Sequence, residues 1–291
     1  MGDYSKALEF HDKALWIAEK ALPVNHPDLA NFYKQTGSLY ACMGNYSQAL
    51  EFFDKALKMR QKLLHENYLD LADSYHSIGS LHSDIGNYLK ALDFYDRALK
   101  IREKILPENH PVVAATYRDI GTVYNHMDNY SETLKFHDTA LKIKEKVLPD
   151  NHSDIATSCD SIGSVYNNMG NYSKALEFHD KARKINEKAL PENHPNLAIS
   201  YNHIGFAYNR LSNYSKALEF YDKALKINEN SLPENHPDLG ITYDNVGSVY
   251  QNMGNYPKAL ECYEKGLKIF EKSTIRSSGL GHFLHTHQLR A

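Results

Sequence analysis

Gly44-Asn45-Tyr46-Ser47-Gln48-Ala49-Leu50-Glu51-Phe52-Phe53-Asp54-Lys55-Ala56-Leu57 returns almost letter for letter along the chain. Its tyrosine recurs as Tyr88, Tyr130, Tyr172, Tyr214 and Tyr256, each 42 residues after the last, with Tyr4 one period earlier. A second phrase, Tyr-x-x-Ile-Gly-x-Val-Tyr, keeps the same spacing at Tyr117 to Tyr124 and, with Val246 in place of Ile, at Tyr243 to Tyr250. Its glycine stands at Gly37, Gly79, Gly121, Gly163, Gly205 and Gly247. A fixed period of this length marks an array of structural repeats, each unit burying its apolar face against its neighbours.

Each period reads as two helices. In the first, residues 28–43, Tyr33, Thr36, Gly37 and Tyr40 fall at i, i+3, i+4 and i+7, one face of a helix. A glycine within a helix costs roughly 1 kcal/mol against alanine. Its return at one slot therefore predicts a close helix–helix approach. This helix A stops at Gly44, Gly86, Gly170 and Gly254, where glycine takes the left-handed conformation cheaply; Asp128 and Ser212 replace it in two repeats. The asparagine that follows, from Asn45 to Asn255, predicts an N-cap for helix B. Helix B is expected from about Tyr46 to Leu64, with Tyr46, Ala49, Leu50, Phe53, Ala56, Leu57 and Leu64 as its apolar stripe. It ends at Leu-Pro-Glu-Asn-His-Pro, as at Leu106 to Pro111 and Leu232 to Pro237. The first proline stops helix B, and the second fits the first turn of the next helix A, where no amide bond is lost.

The expected fold is all-α, a right-handed superhelical solenoid of antiparallel helix pairs. Residues 1–27 form an orphan helix B, and six repeats follow at 28–69, 70–111, 112–153, 154–195, 196–237 and 238–272, with an irregular tail at 273–291. Solenoids normally carry a polar cap at each end. Tyr4, Leu8, Leu15 and Trp16 would have an unmatched side. That predicts self-association through uncapped ends. The alternative is a fragment or accessory repeat region of a larger protein whose catalytic or motor-linked domain is absent.

With 42% hydrophobic and 24% charged residues and a net charge of −3, the chain offers no electrostatic case for nucleic acid or an anionic membrane. It has no run of about 20 apolar residues, the length a membrane span needs. Cys42, Cys159 and Cys262 fall in three different slots, which fits reduced thiols and a cytoplasmic setting. The phosphate-loop, zinc-protease, nucleophile-elbow and Cys-x-x-Cys patterns are all missing, so no catalysis, cofactor or metal site is expected. His26, His110, His152, His194 and His236 recur once per period. Packed helices lie about 8–10 Å apart, and a metal needs its nitrogens within about 2.1 Å, so that series cannot converge on an ion. His11, His137 and His179 share the slot of Phe53 and Tyr95 and are expected to be packed; His282, His285 and His287 fall in the tail.

The helix A phrase, followed by Gly-Asn-Tyr-x-x-Ala and Phe/Tyr-x-x-Ala, resembles the tetratricopeptide repeat, whose usual unit is about 34 residues. The longer form, with His-Pro-Asp-Leu-Ala at His26 to Ala30, is similar to the repeats of kinesin light chains, over roughly residues 1–272. The resemblance implies a non-catalytic scaffold that holds a protein or peptide segment in a groove lined by helix A. Opposite the apolar stripe, helix A carries Lys34 and Ser38; His76 and Ser80; Arg118, Thr122 and Asn125; Asp160, Ser164 and Asn167; Asn202, Phe206 and Asn209; and Asp244 and Ser248. The first three repeats lean basic, while later ones carry Asp160 and Asp244. An extended peptide is expected to lie there with its acidic part towards the N-terminal repeats.

Overall fold

The computed structural model describes residues 4–24, 26–63 and 68–277. They form helices α1 (Tyr4–Ala21), α2 (Pro27–Cys42), α3 (Tyr46–Lys62), α4 (Tyr68–Asp84), α5 (Tyr88–Ile105), α6 (Pro111–His126) and α7 (Tyr130–Val147). The series continues with α8 (Ser153–Asn168), α9 (Tyr172–Ala189), α10 (Pro195–Arg210), α11 (Tyr214–Ser231), α12 (Pro237–Asn252) and α13 (Tyr256–Ser277). Among the described residues there is no strand. The chain divides into two units, the first ending at Val147 and the second beginning at Leu148. In the first, α1 packs on α2, and α2/α3, α4/α5 and α6/α7 pair; in the second the pairs are α8/α9, α10/α11 and α12/α13. Within each unit every helix B also packs on the next helix A, so both units are stacks of helix pairs.

The recurring glycine sits where a helix B ring lies flat against helix A. A Cβ at Gly37 would stand 2.7 Å from Phe53, at Gly163 2.7 Å from His179 and at Gly205 2.7 Å from Tyr221. Beside these rings Ala49, Ala91, Ala175 and Ala217 are wholly buried, the second set of small residues that lets the backbones approach. Outside the glycine seam, Tyr40–Phe52, Tyr124–Phe136 and Tyr208–Phe220 stack with centroids 5.5, 5.5 and 5.7 Å apart.

Helix starts and stops follow local chemistry. His26, His110, His152, His194 and His236 are N-caps, each accepting a hydrogen bond through Nδ1 from the amide two residues on. Gly44, Gly86, Gly170 and Gly254 have positive φ, and so do their replacements Asp128 (φ 55°) and Ser212 (φ 59°). The asparagine caps hold less uniformly than expected. Asn129, Asn171, Asn213 and Asn255 accept from an amide three residues on, at 3.3–3.4 Å. Asn45 and Asn87 make no such bond. Asn171 and Asn213, with ψ of 67° and 70°, share the backbone conformation of Asn45 and Asn87 (ψ 65° and 62°), so the backbone does not account for the difference.

Three expectations are corrected. Helix B of the first repeat ends at Lys62, and Leu64 lies outside the described residues. The last helix runs to Ser277, past the point where the repeat pattern stops; residues 278–291, with His282, His285 and His287, lie outside the described residues. On α1, Leu15 is buried and Leu8 half-buried, whereas Phe10, Trp16 and Ile17 are exposed. The Lys20 ammonium sits 3.7 Å from the centre of the Trp16 ring.

Two arginines that the apolar pattern hides are buried. The Arg60 guanidinium donates to Ser74 Oγ (2.6 Å), the Asp70 carbonyl (2.8 Å) and Asn31 Oδ1 (2.6 Å). Arg102 donates to Thr116 Oγ1 and Asp73 Oδ1, both at 2.6 Å. The same slot holds Asn186, which donates to Ser200 Oγ at 3.2 Å. One polar position of helix B thus ties each of these helices to the helix A that follows.

His137, expected to be packed, is buried against Gly121. Burial and the charges of Arg118 and Lys144, opposed by Asp119, push its pKa down to about 4 from the ordinary 6.5. Between those values the unfolded chain binds a proton that the folded chain refuses. Stability should therefore fall as pH drops through that window. His137→Phe, which installs the residue found at Phe53, is expected to flatten the slope. Urea midpoints at several pH values check this; an unchanged slope would refute it.

Candidate functional site

The polar side of helix A differs between the two units. In the first, α2, α4 and α6 place Ser38, Arg118 and Thr122 in solvent, with Lys34, His76, Ser80 and Asn125 half-buried. The hydroxyls of Ser38 and Thr122 donate to the carbonyls of Lys34 and Arg118, both at 3.0 Å, so outward they present acceptor oxygens. Each basic group has a carboxylate beside it. Lys34 Nζ lies 4.0 Å from Asp73, His76 Nε2 lies 2.9 Å from Asp119 Oδ2, and Arg118 Nε and Nη2 donate to Asp119 Oδ1. Burial alone would raise the Asp119 pKa, but His76 and Arg118 outweigh it and hold the group below its usual range. Lys34 and Ser38 also line a depression shared with His11, Gln35, Leu39 and Cys42.

In the second unit the wall is occupied largely by its own contacts. Asn209 is buried, not displayed: it donates to Ser248 Oγ (3.4 Å) and accepts from Asn252 Nδ2 (3.0 Å), joining α10 to α12. Asn202 Nδ2 donates to Thr242 Oγ1 at 2.9 Å, another bond between the same helices. Ser164, Asn167, Asp244 and Ser248 are half-buried, and Phe206 puts an apolar ring on the face. Burial raises the Asp244 carboxyl above its usual value.

Asp160, read as a displayed charge, is turned inward, with 16% of its side chain exposed. His179 Nδ1 donates to its Oδ1 at 2.8 Å, His203 Nδ1 lies 3.6 Å from the same oxygen, and Ser200 Oγ donates to Oδ2 at 3.3 Å. The two imidazole rings are 4.8 Å apart. Burial would raise the Asp160 pKa, yet the hydrogen bond from His179 and the neighbouring His203 ring bring it below the ordinary carboxylate value. Burial lowers His179. These three side chains come from α8, α9 and α10, and sequence reasoning did not join them. A signal existed. His76 and Asp119 are 43 residues apart and meet; Asp160 and His203 have the same spacing, with a histidine in the ring slot between them.

Among the described residues no helix is long and apolar enough to cross a membrane. A model of the tetratricopeptide repeat matches residues 1–62, 30–104, 70–146, 112–188, 154–230 and 197–272. No curated protein matches the chain. Among solved structures, BtubC (BKLC) from P. vanneervenii is similar with a TM-score of 0.68 at 19% identity, covering 79% of this chain and 92% of that one. A Podosopora anserina putative kinesin light chain with nearly identical TPR-like repeats gives 0.61 at 22% identity, covering 72% and 98%. The STAND protein PH0952 from Pyrococcus horikoshii, with a tetratricopeptide repeat sensor, gives 0.76 at 19%, covering 97% of this chain and 41% of that one.

Proposed function

The chain belongs to the tetratricopeptide repeat family, and from that premise we propose that it is a non-catalytic, cytoplasmic scaffold for a protein partner. The partner segment lies on the helix A wall of the first unit. The observation that carries this reading is the contrast between the walls. On α2, α4 and α6 the outward groups are an exposed guanidinium, a half-buried ammonium and hydroxyl acceptors, ready for an extended backbone and its carboxylates. On α10 and α12 the corresponding amides are consumed in bonds between repeats. Lys34 and Arg118 already touch Asp73 and Asp119, so their pull on an acidic peptide is moderate and gives selectivity more than raw affinity.

The test is a peptide library profiled on the wild-type chain and on Lys34→Glu with Arg118→Glu. Acidic peptides should lose about tenfold or more, corresponding to about 1.4 kcal/mol. Neutral peptides should change little. An identical profile before and after removes the proposal.

A further inference from the structure

We propose that Asp160, His179 and His203 form a binding site for a divalent transition metal of the zinc class. Each offers one donor atom, and the three atoms lie within 4.8 Å of one another. Two ligands bound at about 2.1 Å from one ion stand roughly 3 to 4 Å apart. The carboxylate–imidazole separations here are 2.8 and 3.6 Å, so small side-chain rotations bring all three donors onto one ion. A mixed imidazole and carboxylate set suits zinc, cobalt or nickel and not calcium or magnesium, which take oxygen donors.

The surroundings are organised as a second layer around such an ion. Ser200 Oγ holds Asp160 Oδ2, itself braced by Asn186, and leaves Oδ1 pointing at both histidines. His203 Nδ1 is inaccessible to solvent and has no hydrogen-bond partner among the described residues, although it faces that oxygen at 3.6 Å. On the far side of the His179 ring, Asn167 Nδ2 lies 3.2 Å from Nε2, and Asn167 Oδ1 is buried without a partner. With the amide turned end for end, Oδ1 accepts from a protonated Nε2 and Nδ1 becomes the ligand. The proton moves from Nδ1 to Nε2, and none is lost. Carboxamides and carboxylates in this position fix the tautomer of metal-bound histidines. His203, with 36% of its side chain exposed, gives an entry path and room for water on the open side.

The array supplies its own controls. One repeat later the three slots hold Asn202, Tyr221 and Asn245, and two repeats earlier His76, Tyr95 and Asp119. Neither triplet offers this ligand set. Asp160→Asn, His179→Tyr and His203→Asn therefore each install a residue that the fold already accommodates at that slot.

The experiment uses the full chain carrying Gln at His282, His285 and His287, stripped with chelator and titrated with Co2+. A single equivalent should produce visible d–d absorption that Zn2+ abolishes. Each of the three substitutions should remove that absorption, and Asn167→Ala should weaken binding by about 10-fold to 100-fold. Circular dichroism should report unchanged helix content in every variant. Absence of the absorption in the parent chain, or its survival in His203→Asn, overturns the site.

Discussion

Replacing Gly205 with valine is expected to destabilise the second unit by about 3 kcal/mol or more, in a urea titration followed by helical circular dichroism. The reason is local. A single Cβ at Gly205 already stands 2.7–2.9 Å from three carbons of the Tyr221 ring. Tyr221 is wholly buried, so the ring has nowhere to go. Valine adds two more carbons in the same place. Alanine separates two opposing effects at this slot. It gains about 1 kcal/mol of helix propensity over glycine and loses a comparable or larger amount to the clash. In a Tyr221→Leu background the clash is relieved and the propensity gain should emerge, which a double-mutant cycle reads directly. The Tyr221 hydroxyl has no partner among the described residues, so Tyr221→Phe should not mimic these losses. A Gly205→Val chain as stable as wild type would show that helices α10 and α11 do not need their close approach.

Arg102→Ala should cost about 3 kcal/mol, from lost packing and the loss of two charge-assisted bonds. Arg102 is 5% exposed and its guanidinium clamps Thr116 on α6 and Asp73 on α4, so one side chain of α5 holds two helix A elements. Asp73 is 44% exposed and can return to water, with Lys34 nearby, which keeps the penalty below that of a fully buried pair. Thr116 is fully buried; it still donates to the Val112 carbonyl at 2.9 Å but loses the donor to its own oxygen. The expected order of loss is Arg102→Ala, then Arg102→Met, which keeps an apolar stem, then Asp73→Asn. Urea midpoints for the three variants measure it. Equal stability of Arg102→Ala and wild type would show that the clamp contributes nothing.

Much of the architecture was legible because the repeat states each rule several times. Proline and histidine at helix starts and glycine at helix ends are local requirements, each tied to backbone geometry. The asparagine caps were overread at Asn45 and Asn87, since a preferred residue type on the right backbone does not guarantee the side-chain bond. The candidate face was legible as a list of slots. Its inward members were not: Asn209 and Asp160 occupy outward-reading slots, Asn209 withdrawn by Asn252 of the next repeat and Asp160 by His179 of its own repeat and His203 of the next. Arg60 and Arg102 were missed because a charged residue inside an apolar stripe reads as its solvated edge, whereas a long side chain can reach a polar partner within the stack.

What the sequence determined alone was therefore the period, the helix limits to within a few residues, and the slot at which the helices approach closely. The tertiary structure decided which polar groups face water and which face one another. Those pairings join residues about 40 positions apart, such as His76 with Asp119 and Asp160 with His203. Hydrogen bonds act over about 3 Å, and whether two slots come within that distance depends on how one helix pair seats on the next, which periodicity does not encode.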